Sequence, residues 1–201
     1  MSRALSSTRA CCLQAPRAAH VCAAYARATQ LMATASPAEA AALSRLETAG
    51  LRGDVVYLAS ELSASPDSAL VSARCASLLI TALHDERALA AASLAGVVQL
   101  MLETLRRHGT CGDVVAHAWL VVCTLVCHTE ALVAPAVEDG ALELALATLR
   151  NTTFPSCQNA SSLIALVTLT CHHATSNHVA RAVQLGAVEV RILLFYLLIF
   201  C

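Results

Sequence analysis

The pentapeptides Thr-Leu-Val-Cys-His at 124–128 and Thr-Leu-Thr-Cys-His at 168–172 each set a thiol beside an imidazole, two donor types that hold zinc. A tetrahedral site draws four such ligands to about 2.0–2.3 Å from one ion. Cys123 and Cys127 share a helical face at four-residue spacing, whereas the adjacent Cys127 and His128 diverge by about 100° around a helix. Neighbouring helices pack about 8–10 Å apart, so His128 and His172 approach one another without readily sharing an ion. The two pentapeptides lie 44 residues apart, and a structural unit written twice explains both with no metal. We therefore expect no metal and no cofactor; a Cys/His metal-binding protein is the lesser alternative.

Other catalytic chemistry has little to stand on. The chain holds neither a Gly-rich phosphate loop nor a Gly-x-Ser-x-Gly elbow. Cysteines and histidines are plentiful, but no third group stands at helical spacing to orient a base. His84-Asp85-Glu86 reads as a helix end, with Asp85 and Glu86 opening the next helix. The reading is non-enzymatic.

The elements that must position these residues follow from composition and period. The 201 residues are 57% apolar with a mean hydropathy of +0.64, much of it alanine, and only 3% aromatic. That favours helices with most faces covered. The 13 basic residues, all Arg, nearly balance 14 acidic ones, so no nucleic-acid footprint is present. Ten cysteines in a chain of this length are not the density of a disulfide framework, and in a reducing compartment most would be small buried hydrophobes. Asn151-Thr152-Thr153 and Asn159-Ala160-Ser161 match a glycosylation triplet that matters only in a secreted context.

Gly50, Gly96, Gly140 and Gly186 fall 46, 44 and 46 residues apart. Each precedes an apolar helical pattern, and after the first three come a turn, a longer apolar helix and a short segment leading to the next glycine. Ser65-Pro66-Asp67 reads as a helix start, with Gly112-Asp113 and Phe154-Pro155-Ser156 in the same role later. Val114, Ala118, Val122 and Leu125 form a helical stripe, matched by Ser72, Ala76, Ile80 and Leu83 before it. Gln158, Ser162, Leu166 and Leu169 match it in the next copy. Trp119 beside this stripe is expected in the core, with an interface anchor as the alternative.

This order resembles the armadillo repeat, whose second-helix opening is similar to Gly-Ala-Leu-Glu-Leu-Ala-Leu (140–146) and Gly-Ala-Val-Glu-Val (186–190). The resemblance implies an all-α fold: a right-handed α-solenoid of three-helix repeats, about three full units with partial units at both ends. A frayed N-terminus at 1–14 would precede a repeat domain at 15–201. Its units would be about 15–49 (partial), 50–95, 96–139, 140–185 and 186–201 (truncated). It also implies a scaffold that binds a protein partner along a concave groove. The asparagine that grips extended peptides in the importin-alpha and beta-catenin members is missing: Ala82, Thr124 and Thr168 stand there. In that arrangement His117, Thr124, His128, Ser161, Thr168 and His172 would line the groove as a polar track.

The ends carry further expectations. Residues 1–38 hold Arg3, Arg9, Arg17 and Arg27 and no acidic residue, a composition that also fits an organelle transit peptide. A cytoplasmic repeat protein is the preferred reading. After Arg191 come ten apolar residues, about half of a bilayer span. Segment 191–201 would leave an apolar face for self-association, or mark a piece of a longer solenoid. No transmembrane span is expected. A membrane-associated helical protein, with 114–127 and 160–171 as its apolar segments, is the alternative.

Overall fold

Four helix ends share one backbone bend, and it recurs at nearly constant spacing. In the computed structural model, which describes residues 35–151, 156–171 and 176–186, Gly53, Gly96, Gly140 and Gly186 have φ of 67°, 65°, 82° and 84°. Each N–H donates to the carbonyl three residues back: Gly53 to Gly50 at 3.1 Å, Gly96 to Ser93 at 3.3 Å, Gly140 to Val137 at 3.1 Å and Gly186 to Val183 at 2.9 Å. A side chain at such φ meets the following carbonyl oxygen, so glycine takes the place. At Gly53, Gly96 and Gly140 the bend turns the chain out of one helix and into the next.

The first bend corrects the sequence reading. Gly50 lies inside a helix, with Leu78 packed so close that a Cβ would sit 2.6 Å from its Cδ2. Gly53 makes the bend instead, and the Asp54 N–H closes it on the Ala49 carbonyl at 3.0 Å. The spacings become 43, 44 and 46 residues.

The chain divides into two compact units, Met1–Ala40 and Ala41–Cys201. In the first, the Ser36 N–H and hydroxyl both donate to Glu39 Oε2 at 2.9 Å, and the Glu39 N–H returns to Ser36 Oγ at 3.3 Å. This reciprocal cap, with Pro37 at the first helical position, opens α1 (Pro37–Arg52). The frayed N-terminus at 1–14, residues 15–34 of the partial first unit and residues 1–34 of the transit-peptide segment lie outside the described residues. The same holds for Phe154-Pro155, His172 and the apolar segment 191–201.

In the second unit follow α2 (Val55–Ala64), α3 (Ala69–Ala82), α4 (Glu86–Leu94), α5 (Val97–His108) and α6 (Gly112–His128). A 3-10 turn (Glu130–Leu132) leads into α7 (Val133–Glu138), then α8 (Ala141–Arg150), α9 (Ser156–Cys171) and α10 (Ser176–Gln184). Among the described residues every regular element is helical, as the composition implied. Starts are set by short polar side chains: Asp54 accepts from the Tyr57 N–H at 3.0 Å, Ser68 from Val71 at 3.3 Å and Asp85 from Arg87 at 3.3 Å. Ser65 is therefore not the cap of α3. It begins a turn with Pro66 and Asp67 at its corner, closed by the Ser68 N–H on the Ser65 carbonyl at 3.4 Å. Cys111, not Gly112, holds the cap position of α6, and Asp113 supplies charge in its first turn.

Packing follows the same order. α6 packs against α3 on one side and α9 on another, and α5 against α2, α6 and α8. The α6 stripe Val114, Ala118, Val122 and Leu125 is buried, as are Ser72, Ala76 and Leu83 of the matching set, while Ile80 is half-buried. Each buried Val or Leu contributes on the order of 1.5–3 kcal/mol. The ion pair of Arg45 with the buried Glu61 (2.5 Å) ties α1 to α2, and a bidentate pair from Arg74 to Glu47 (2.5 and 2.8 Å) ties it to α3.

Candidate functional site

The surface in question is built on α6, α3 and α9. α6 alternates residues turned into the core with residues left at the surface, and its partners decide which are which. His117, Leu120, Thr124 and Cys127 are half-buried and His128 is exposed. His117 Nδ1 lies 2.7 Å from the Asp113 carbonyl, and the Thr124 hydroxyl donates to the Leu120 carbonyl at 2.8 Å. Both polar groups are thus satisfied within their own helix, while His117 keeps its second ring nitrogen.

The structure divides the expected polar track. Ser161 and Thr168 of α9 are only 6% and 5% exposed, so they face helix packing and leave the track. α9 meets α6 along the face carrying Thr168: the Cys127 thiol donates to Thr168 Oγ1 at 3.9 Å. Ile164 of α9 does reach solvent, 49% exposed. Leu120 and Ile164 are 44 residues apart, an echo that marks equivalent positions but says nothing about exposure. Of the six polar residues, His117, Thr124 and His128 keep some exposure, on the face of α6 that also carries Leu120.

Of the described thiols, Cys75 and Cys123 are buried, while Cys111 and Cys127 are half-buried. Burial pushes the Cys123 thiol far above the usual range, with the neighbouring Cys127 adding to the shift. Cys75, donating to the Leu58 carbonyl at 3.0 Å, is pushed up to about 12 by burial and then by the Glu61 charge. A thiol held protonated is a poor nucleophile and a poor metal ligand. Among the described residues no three His, Cys, Asp or Glu side chains gather as a metal site would need. Cys123 and Cys127 lie on the side of α6 that packs against α9.

Trp119 is fully buried, its indole N–H directed at Thr148 Oγ1 of α8 at 3.5 Å. It fills the core and presents nothing to a partner. A shallow cleft of about 190 Å³ opens elsewhere, between the end of α2 and α5, bordered by Leu62, Pro66, Leu100, Glu103 and Arg107. There Glu103 is held below the usual carboxylate range by its hydrogen bond from Arg107, at 3.0 Å, and by Arg106. Arg106 and Arg107 both pair with Glu103, and Arg107 also lies 3.7 Å from Asp67.

Against known proteins, no family model matches this chain, and neither a curated protein nor a solved structure does.

Proposed function

We infer that the chain is a non-enzymatic scaffold, a right-handed armadillo-like α-solenoid that binds a protein partner along the surface made by α3, α6 and α9. One observation carries the reading: the same left-handed glycine bend, with the same hydrogen bond, recurs at 43-, 44- and 46-residue spacing. Helices of matching rank also meet, α6 with α3 and α9, and α5 with α2 and α8. Stacked modules of this kind bury apolar stripes against their neighbours, which accounts for the high mean hydropathy without lipid. Such an array offers one long surface rather than a closed pocket, and binding of a protein follows by analogy of architecture. The missing asparagines argue against a peptide gripped by its backbone; Leu120 and Ile164 supply apolar contact, with His117, Thr124 and His128 giving it direction. The compartment that goes with this reading is the cytoplasm, where thiols such as Cys75 and Cys123 stay reduced.

A photo-crosslinking amino acid placed at Leu120, and separately at Glu103 on α5, tests the site in cells. A discrete protein adduct from position 120, lost when Thr124 and His128 are both changed to Ala, supports it. Adducts from position 103 alone contradict it.

The membrane alternative has one observation of its own. No single helix among the described residues is long and apolar enough to cross a bilayer, but α4 and α5, bent at 67°, meet the length and composition together. Within the fold, however, Val97, Val98, Met101, Leu102 and Leu105 of α5 are buried against other helices, and Arg106, Arg107 and His108 end it. Release into the supernatant on alkaline carbonate extraction is the result expected of the scaffold.

A further inference from the structure

Two arginines do the same thing at successive junctions. Arg106, in the last turn of α5, donates through Nη2 to the carbonyl of Asp139; Arg150, the last residue of α8, donates through Nη2 to the carbonyl of Leu185 at 2.6 Å. Asp139 directly precedes the bend glycine Gly140, and Leu185 directly precedes Gly186. Each arginine also stands ten residues after the glycine that opens its own helix, Gly96 for Arg106 and Gly140 for Arg150. The two contacts are therefore one contact made twice.

The chemistry is specific. The last carbonyls of a helix lack partners within it and carry its negative dipole end, and a guanidinium satisfies both needs at once. Asp139 closes α7, and Leu185 follows the last residue of α10. The bond thus ties the helix that follows one bend glycine to the carbonyl just before the next bend glycine. Glu103 holds Arg106 from the other side, its Oε2 lying 3.4 Å from Nη1.

The junction before Gly96 lacks the device. Counting ten residues from Asp54, which accepts the Leu58 N–H as Gly96 accepts that of Leu100, gives Ala64, exposed at the end of α2. The carbonyl it would have reached is that of Ala95, before Gly96. α2 still packs against α4, but no cation of α2 closes that contact.

We propose that Arg106 and Arg150 are latches that fix the bend at the end of their own modules, and that the bend at Gly96, where Ala64 stands in the arginine's place, lacks this latch and moves more freely. A stack of modules sets the curvature of its binding face through the rotation from one module to the next. Latches before Gly140 and Gly186 hold the bends from which that rotation starts; at Gly96 the bend has none, although His108 Nε2 lies 2.8 Å from the Pro66 carbonyl in the turn after α2. The arginines are positioning residues, acting through backbone carbonyls rather than through any partner. The local contacts stand without the scaffold reading; the consequence for the binding face rests on it.

Amide exchange followed by NMR on the full chain separates these claims. In Arg106→Ala the Asp139 and Gly140 amides exchange about three- to tenfold faster while those of Leu185 and Gly186 keep their rates; Arg150→Ala gives the reverse. Arg106→Lys, keeping a cationic donor, restores part of the protection. Ala64→Arg installs the missing latch and slows the Ala95 and Gly96 amides by a similar factor. Unchanged rates at the variant's own junction would overturn the proposal. So would acceleration spread evenly through α6, because a latch acts locally, or an Ala64→Arg variant indistinguishable from the parent at Ala95 and Gly96. None of these readings depends on partner binding, so a failed crosslinking experiment and a failed latch remain distinct.

Discussion

The indole N–H of Trp119 points at the Thr148 hydroxyl, 3.5 Å away, and that hydroxyl donates in turn to the Leu144 carbonyl at 2.9 Å. The largest side chain in the core is thereby oriented by a polar group of the neighbouring helix α8, with no water required. Trp119→Ala leaves a cavity and is expected to cost about 3–5 kcal/mol in urea denaturation. Thr148→Val keeps the volume but strands the N–H, at about 1 kcal/mol. In a Trp119→Phe background the Thr148→Val cost falls toward zero. A cost unchanged in that background would show that the hydroxyl serves only its own helix.

The bend glycines have their own signature. Alanine at Gly53, Gly96 or Gly140 meets the left-handed penalty, about 1–2 kcal/mol, and asparagine, which tolerates that region, costs less than alanine at all three. At Gly50 the order reverses: it is helical, and asparagine is the poorer helix former and the larger intruder on Leu78. Thermal denaturation of the eight variants reads the order directly. Asparagine outperforming alanine at Gly50 would return the bend to the position the sequence suggested.

Two serines four residues apart should respond in opposite ways. Ser68 caps α3, and Ser68→Ala is expected to lose about 0.5–2 kcal/mol. Ser72, fully buried, encloses its Oγ with no hydrogen-bond partner. Removing a stranded hydroxyl relieves its desolvation cost, so Ser72→Ala is neutral or stabilising. A loss above about 1 kcal/mol for Ser72→Ala would contradict this account of the α3 packing.

The helices, their order and three of the four bends were legible because period and punctuation are local signals. Gly96, Gly140 and Gly186 sit alone in their segments. Gly50 and Gly53 compete within three residues, and only the packing of Leu78 settles which one bends. Ser65-Pro66-Asp67 carries the composition of a helix start and of a tight turn alike, and Ser68 wins the cap because the turn uses up the earlier residues. The exposure of the six polar residues was only in part legible. His117, Thr124 and His128 follow from the period of α6, but whether Ser161 and Thr168 reach solvent depends on which face of α9 meets α6. The arginine contacts had no signal at all, since each spans more than 30 residues and ends on a backbone carbonyl.

Buried thiols make the fold sensitive to alkali. Because Cys75 is pushed from 9.0 up to about 12, its contribution is complete below pH 9 and is lost as the pH rises toward 12. In that window each such thiol removes about 1.4 kcal/mol of stability per pH unit. Cys123, shifted in the same direction, adds to the effect. The urea midpoint of the parent should fall relative to that of Cys75→Val between pH 9 and 11. Parallel profiles would mean that the thiol ionises in the folded state as readily as in the unfolded one.

Whether equivalent modules are laid side by side is tested most directly by distances between equivalent points. Leu51, Leu94, Glu138 and Gln184 each stand two residues before a bend glycine, and all four are exposed. Spin labels carried there on a non-canonical amino acid, read in pairs by double electron–electron resonance, report the repeat itself. At a spacing of about 10 Å per module, 51–138 and 94–184 should agree with each other near about 20 Å, and 51–184 should fall near about 30 Å. A 51–184 distance no longer than the other two would describe a closed helical globule and contradict the stacked array.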